Sequence, residues 1–355
     1  MKNEQNIYHN MKCLGLRNSS ILLISALAIT TISTCQTKVD VEQQLQNISY
    51  DIKRDSVWIT TSNGRIFGLL LQPVKYKLDK IPAVLCLQGG GDVGLANYIY
   101  EAEVFAKKGI SALVCDKSGS GLSKTEKSWR EQSFKDKTTE YMELHAWLSS
   151  QERIDKSKVG VHGMSEGGRL ALNMAIRSPD KIAFVNVVSG PIASFKENRL
   201  FAIQHHLSAQ GFKHGDIDQV LKVWEMYYND VAKGLFTDET LTEIKRLRET
   251  LPTLRHRPAY SKNLPRRPLR SDVHFGLEGS MDLIRCPVLF QYGENDILVD
   301  PVVSISMIPN RSNMLIKNYK NTDHSMNFEN GDMNPEYLND KHTWIEQLKK
   351  GVLSQ

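Results

Sequence analysis

Long apolar runs are scarce in this 355-residue chain, and residues 21–32 form the single one. That run falls short of the roughly 20 residues needed to cross a bilayer, which excludes a polytopic membrane protein. Cysteine is scarce too. The five at 13, 35, 86, 115 and 286 are too few and too scattered for a disulfide scaffold or a zinc knuckle. Charge of one sign is not in excess, since 45 basic residues face 40 acidic ones. Setting aside residues 1–34 leaves 42 basic and 39 acidic residues, a net +3, so no strongly basic face is expected and no nucleic-acid partner. There is no His-Glu-x-x-His and no Gly-x-x-x-x-Gly-Lys, so neither a metal nor a nucleotide cofactor is expected, and His205-His206 fall on different helix faces. What is there suits a packed core: 41% hydrophobic and 24% charged residues, with mean hydropathy −0.36. The length fits two domains, or one large core carrying an insertion.

The apolar run at 21–32 follows Lys12 and Arg17 and precedes small polar residues, the layout of a secretory signal peptide over residues 1–34. Ile32-Ser33-Thr34-Cys35-Gln36 then resembles a bacterial lipobox, with Thr34 where such motifs carry Gly, Ala or Ser. The resemblance implies lipidation of Cys35, attachment to a membrane, and an exported protein that is periplasmic or a membrane-anchored lipoprotein. A plain cleaved signal or an uncleaved anchor are the alternatives. Residues 35–55 would form a tether. Cys86, Cys115 and Cys286 lie in or beside apolar runs and read as small core hydrophobes.

Beyond residue 55 the pattern alternates. Residues 56–61 and 65–71 flank Ser62-Asn63-Gly64, a hairpin signal. Residues 81–87 (IPAVLCL) are continuously apolar, as in a strand covered on both faces. Helical spacing over 97–108 leads to a strand at 110–115, a helix at 134–149, a strand at 159–162, a helix at 166–177 and a strand at 184–188. Later strands are expected at 287–292 and 314–319, with a closing helix at 337–353. Strict alternation predicts an α/β protein: a mostly parallel central sheet with helices on both faces. Between them, residues 192–282 break the alternation with helical patterns at 201–210, 217–231 and 239–250. They read as an inserted helical cap on a core of 56–191 and 283–355. Residues 252–270 hold six basic and no acidic side chains and read as a solvated loop.

Three places carry chemistry. Gly163-Met164-Ser165-Glu166-Gly167-Gly168 sits between a strand and a helix, which puts Ser165 at a sharp turn. There glycines prevent collision, and the first helical N–H groups point at whatever the hydroxyl attacks. The bland alternative is a serine that caps the helix. Gln88-Gly89-Gly90-Gly91-Asp92 follows the buried strand 81–87, where absent side chains let backbone N–H groups approach an oxyanion. Gly293-Glu294-Asn295-Asp296 and Asp323-His324 follow the two later strands. Strand C-terminal ends are where such sheets place ligands. Only His324 and His342 come after the candidate acid, and His342 falls in the closing helix, where a surface position is expected.

With these residues assembled, the chain resembles an α/β-hydrolase-fold serine hydrolase. It is similar to the esterase and dienelactone-hydrolase-like branch related to prolyl-oligopeptidase catalytic domains. Asp116-Lys117-Ser118-Gly119-Ser120-Gly121-Leu122-Ser123 resembles the family's Asp-x-x-Gly-x-Gly-x-Ser loop. Arg153-Ile154-Asp155 ahead of Val159-Gly160-Val161, and Gly293-x-x-Asp296, are similar as well. The resemblance covers about 56–191 and 282–355. It implies Ser165 as nucleophile, Asp296 as acid, His324 as base, and the backbone N–H groups of Gly90 and Glu166 as oxyanion hole. Glu294 and Asp323 remain rival acids. Gln88 and Met164 stand where many members carry His. The expected activity is hydrolysis of a small-molecule carboxylic ester through an acyl-enzyme, without a cofactor. An acyl-peptide or aminopeptidase-like hydrolase is one alternative, although residues 36–80 are too few for a gating propeller. A non-catalytic exported binding protein on a hydrolase scaffold is another, against which the intact Ser165, Asp296 and His324 stand.

Overall fold

The computed structural model describes residues 50–74, 79–254, 258 and 271–351. The expected signal peptide, Cys35, most of the tether and every basic side chain of the 252–270 segment lie outside the described residues.

One nine-stranded sheet organises the chain. Its strands are β1 (Ile52–Thr61), β2 (Gly64–Pro73), β3 (Ile81–Leu87), β4 (Ser111–Cys115), β5 (Lys124–Thr125), β6 (Ile154–Met164), β7 (Val185–Val188), β8 (Val288–Gly293) and β9 (Met314–Tyr319). The order is β1-β2-β4-β3-β6-β7-β8-β9, with β5 paired to β2. The β1–β2 and β2–β4 pairs are antiparallel, and every pair from β4 through β3 to β9 is parallel. Crossovers between parallel strands need helices, here α1 (Ile99–Lys107), α2 (Phe134–Ser149), α3 (Glu166–Arg177) and α7 (Pro301–Ser306), while α8 (Pro335–Lys349) follows the last strand. Successive β3 residues feed opposite faces. Ala83, Leu85 and Leu87 pack toward Tyr141, Leu144 and Leu170 of α2 and α3, while Val84 and Cys86 pack toward Phe105 of α1 and Trp344 of α8. That is why residues 81–87 have no polar side: each buried aliphatic stabilises by about 1.5–3 kcal/mol whichever way it points. Cys86, Cys115 and Cys286 are buried free thiols, as the apolar context suggested.

Several boundaries differ from the sequence reading. The tether was expected to reach residue 55, but β1 starts at Ile52, whose partner is Pro73, and Ile52 packs beside the α1–α8 core. The hairpin loop is Ser62-Asn63 rather than Asn63-Gly64, because Thr61 pairs with Gly64. The Asn63 amide is held instead by Lys127 O and Glu140, and its Oδ1 accepts from Lys127 N. β6 begins at Ile154, five residues before the expected strand, since the polar Lys156-Ser157-Lys158 stretch masks a pairing of Ile154 with Ile81. His342, expected at the surface, is buried on α8, and burial pushes its imidazole down to about 4.

A polar path crosses this apolar sheet. Glu101 of α1 meets Lys341 Nζ of α8 at 2.7 Å and His162 Nε2 of β6 at 3.2 Å. His162 Nδ1 lies 2.9 Å from Asn186 Oδ1, Asn186 donates to Gln291, and Gln291 donates to the Tyr319 hydroxyl. Most of these polar atoms find a hydrogen-bond partner within the path, as buried groups generally do, while His162 Nε2 meets Glu101 at ion-pair distance without a hydrogen bond.

Between β7 and β8 the chain leaves the sheet for α4 (Phe195–Ala209), α5 (His214–Lys233) and α6 (Asp238–Thr250). Leu207, Val220, Val223, Val231, Ile244 and Leu247 give these helices an apolar cluster of their own. The outgoing and returning segments are hydrogen-bonded to each other, Phe195 N to Phe275 O and Leu277 N to Ile192 O. Arg169 of α3, 2% exposed, donates to both: Nη2 to Ala193 O at 2.7 Å and Nη1 to Phe275 O at 2.8 Å.

Candidate active site

Ser165 occupies the single residue between β6 and α3, at φ 54° and ψ −121°. A side chain in that region carries about 1–3 kcal/mol of strain and persists only where its surroundings enforce it. They do so here. The Ser165 N–H donates to Val188 O of β7 at 2.8 Å, and the corner is too tight for any side chain at its flanking glycines. A Cβ on Gly163 would lie 2.2 Å from Gly167 O, and one on Gly167 would lie 2.4 Å from Leu87 O. The Ser165 hydroxyl does not cap α3, so the capping alternative fails and the side chain is left for other work.

The glycine-rich loop reaches the same corner. A Cβ on Gly89 would sit 3.4 Å from Ser165 Cβ, and one on Gly90 would sit 3.5 Å from Glu166 Oε2. The loop is shaped by the segment after β4. Asp116 Oδ1 accepts from Leu95 N and its Oδ2 from Leu122 N, each at 2.7 Å, so one carboxylate ties the end of the glycine loop to the Asp-x-x-Gly-x-Gly turn. Gln88 donates to Cys115 O at 2.8 Å. Lys117 donates to Gly89 O and, at 2.8 Å, to Gly91 O. Ser118 donates to Glu140 of α2 at 2.6 Å. The sequence reading quoted this motif without assigning work to its side chains. Only the long-range contacts reveal that work, although a lysine two residues after a buried strand is itself a signal.

The third cluster lies beyond β8 and β9. His324 Nδ1 is 2.7 Å from Asp296 Oδ2. Asp296 is 3% exposed, and its other oxygen accepts the Leu298 and Val299 N–H groups, each at 2.8 Å. The rivals are placed otherwise. Glu294 is exposed, and exposed Asp323 spends Oδ1 on the N–H groups of Ser325 and Asn327, shaping the turn that carries His324. With a carboxylate as acceptor, Nδ1 carries the hydrogen and Nε2 keeps its lone pair. The cluster is fastened to the serine corner through adjacent residues: Val188 O accepts from Ser165 N, and Ser189 Oγ donates to His324 O at 2.9 Å.

The charges around the corner are mixed. Glu166 Oε1 pairs with Lys137 Nζ at 2.7 Å. Burial opposes the charged form of Glu166, yet Lys137 and then Lys117 overcome it and hold the carboxyl below its ordinary value. Both ammonium groups sit over the Trp129 ring, each 4.4 Å from its centroid. Among the described residues no group of three His, Cys, Asp or Glu side chains is placed to hold a metal ion. The geometry thus joins Asp296 to His324 and brings the Gly89–Gly90 loop against Ser165 and Glu166, while Cys35 lies outside the described residues. A half-buried hydroxyl on a strained backbone, an imidazole backed by a carboxylate and a glycine loop free of side chains are the parts acyl transfer requires.

Among curated proteins none matches the sequence significantly. Solved structures do match in fold. The α/β hydrolase GrgF from Penicillium sp. sh18 is 14% identical, with 83% of this chain and 98% of that one covered at a TM-score of 0.55. Est1E from Butyrivibrio proteoclasticus is 14% identical, covering 84% and 99% at 0.54. A hyperthermophilic esterase from Pyrobaculum calidifontis is 14% identical, covering 89% of each chain at 0.51. In sequence, residues 80–331 match the profile of one family, described as serine aminopeptidase, S33. That match spans most of the chain, from β3 to the loop carrying His324, and with the α/β-hydrolase sheet it makes the protein a member of the serine aminopeptidase S33 family (Hydrolase_4) of hydrolases.

Proposed function

We propose that the protein is a serine hydrolase that cleaves small carboxylic esters through an acyl-enzyme. Ser165 Oγ attacks the acyl carbonyl while His324 Nε2 takes its proton, and Asp296 holds the imidazole and stabilises the imidazolium. The Gly90 and Glu166 N–H groups receive the oxyanion. The imidazolium then protonates the leaving alcohol, and water reverses the sequence to release the acid. The observation that carries this reading is the 2.7 Å His324–Asp296 pair fastened, through Ser189 and Val188, to the corner that strains Ser165. In the expected outcome a fluorophosphonate labels the wild type on Ser165, and Ser165→Ala abolishes both labelling and turnover of p-nitrophenyl acetate. Turnover by the alanine variant would overturn the nucleophile.

Amide hydrolysis is the second reading, favoured by the peptidase description of the matching family. The same chemistry then acts on an N-terminal aminoacyl group. Comparing kcat/KM on short-chain aryl esters and on aminoacyl arylamides separates the two, and a preference for the arylamides reverses their order. Residues 192–282 would cover the site and set acyl preference. Export and lipidation at Cys35 complete the proposal. A Cys35→Ala variant should leave the membrane fraction for the soluble one, and equal membrane recovery of both would rule lipidation out.

A further inference from the structure

Lys117 is 2% exposed, carries a charge, and has no step in the mechanism above. Its Nζ donates to Gly89 O and Gly91 O, and its ammonium lies 4.4 Å from the Trp129 centroid. The described residues contain no cis peptide, and in a planar trans peptide the C=O and the following N–H point in opposite directions. The carbonyl of Gly89 and the N–H of Gly90 belong to one such plane. A cation that captures the first therefore aims the second away from itself. Gly89 and Gly90 are the loop residues that approach Ser165 and Glu166, and the Gly90 N–H has no protein acceptor among the described residues. Glycine alone could not hold this peptide, because a residue without a side chain is free to rotate its plane.

We propose that Lys117 is the positioning residue of the oxyanion site, fixing the Gly89–Gly90 peptide so that the Gly90 N–H meets the developing negative charge. The proposal rests on the serine-hydrolase reading and adds a role for the motif after β4. Lys117 acts in two ways. Its two hydrogen bonds set the direction of the donor before substrate arrives, which removes reorganisation from the reaction step. Its charge also polarises the Gly89 carbonyl, making the Gly90 N–H on the same peptide a stronger donor.

The ammonium is balanced from all sides. Glu166 faces it from the start of α3, Lys137 from α2 and Asp92 from the glycine loop, with Asp92 itself paired to Arg130 at 2.5 Å. Burial, opposed by Glu166 and reinforced by Lys137, pushes Lys117 down to about 8. Above that pH the charge is lost and the donor is less firmly held, so kcat should fall on the alkaline side. An arginine at the same position cannot lose its proton in this range.

The test measures p-nitrophenyl acetate turnover from pH 6 to 10 in the full chain for wild type, Lys117→Met and Lys117→Arg, with thermal denaturation alongside and Ser165→Ala as background. Lys117→Met should lower kcat by about 10–100-fold with KM within about threefold of wild type, less than the loss on deleting an oxyanion donor outright. Its melting temperature should stay close to wild type, because Gly89 is only half-buried and Gly91 is exposed, so water can take over the two carbonyls. Lys117→Arg should retain part of kcat and lose the decline above pH 8, and this profile decides the matter if the methionine variant does not fold. A wild-type kcat in Lys117→Met, or an unchanged alkaline decline in Lys117→Arg, overturns the role of Lys117 while Ser165→Ala remains inactive. Activity that survives in Ser165→Ala overturns the serine mechanism itself, and this proposal with it.

Discussion

Asp296 divides its oxygens between two tasks, one facing the His324 ring and one accepting two backbone N–H groups. An asparagine can keep the second task with its own oxygen but presents an amide N–H to Nδ1, which forces the wrong tautomer. Asp296→Asn is therefore expected to lower kcat by roughly 10³–10⁴ with little change in melting temperature, the pattern of a lost tautomer rather than a lost fold. Glu294→Gln should stay within about twofold of wild type, because that side chain is exposed. Asp323→Asn should be nearly silent and Asp323→Ala should lower kcat, since only alanine removes the oxygen that shapes the His324 turn. Steady-state kinetics on one aryl ester reads all four. The strand ends at 293 and 319 were legible as places for an acid and a base, but three carboxylates stood equally close in the chain. Burial and backbone donors separate them, and neither is written in local sequence. The same holds for Lys117, whose partners lie 26 and 28 residues away.

Among the elements, those with unbroken apolar or helical patterns had the bounds expected of them, namely β3, α2 and α3, and β9 did so despite Lys317 and Asn318. α2 shows why, since Ser133 and Asp136 cap each other's backbone N–H at its start. The first half of β6 and the two-residue β5, hidden by polar residues, were missed, as was α7, whose six residues PVVSIS are too few to show a helical period. The β6–α3 corner is where element geometry and chemistry meet. Gly167→Ala would press a methyl 2.4 Å from Leu87 O and 2.7 Å from Gln88 O, the backbone that leads into the glycine loop. Relief requires the loop to retreat from Ser165. Thermal denaturation should show a loss of about 1–3 kcal/mol, together with a fall in kcat that no surface Gly→Ala exchange produces.

Across the whole molecule, α1 and α8 are joined beneath the sheet by charge. Lys341→Met would strand Glu101 without its closest cation and should destabilise by about 3–5 kcal/mol in urea unfolding, whereas Glu101→Gln combined with Lys341→Met should recover part of that loss. Acid acts on the same region. Burial, followed by Lys108 and Lys341, pushes His342 from 6.5 down to about 4, so between these values the unfolded chain binds a proton that the folded chain refuses. Stability from this group is full above pH 6.5 and falls as pH drops, by about 3 kcal/mol at pH 4. The melting temperature of His342→Leu should fall less steeply over that interval than that of wild type.

Arg169 has one more consequence. A single guanidinium grips the chain where it departs after β7 and again where it comes back, and the two segments also bond to each other. The excursion therefore opens and closes at one knot on α3, the helix that Ser165 introduces. Whatever is spliced in beyond that knot, longer or shorter, shifts no rung of the ladder from β3 to β9. Such a cassette can be exchanged without disturbing the hydroxyl, and the architecture thereby separates what the molecule recognises from how it reacts.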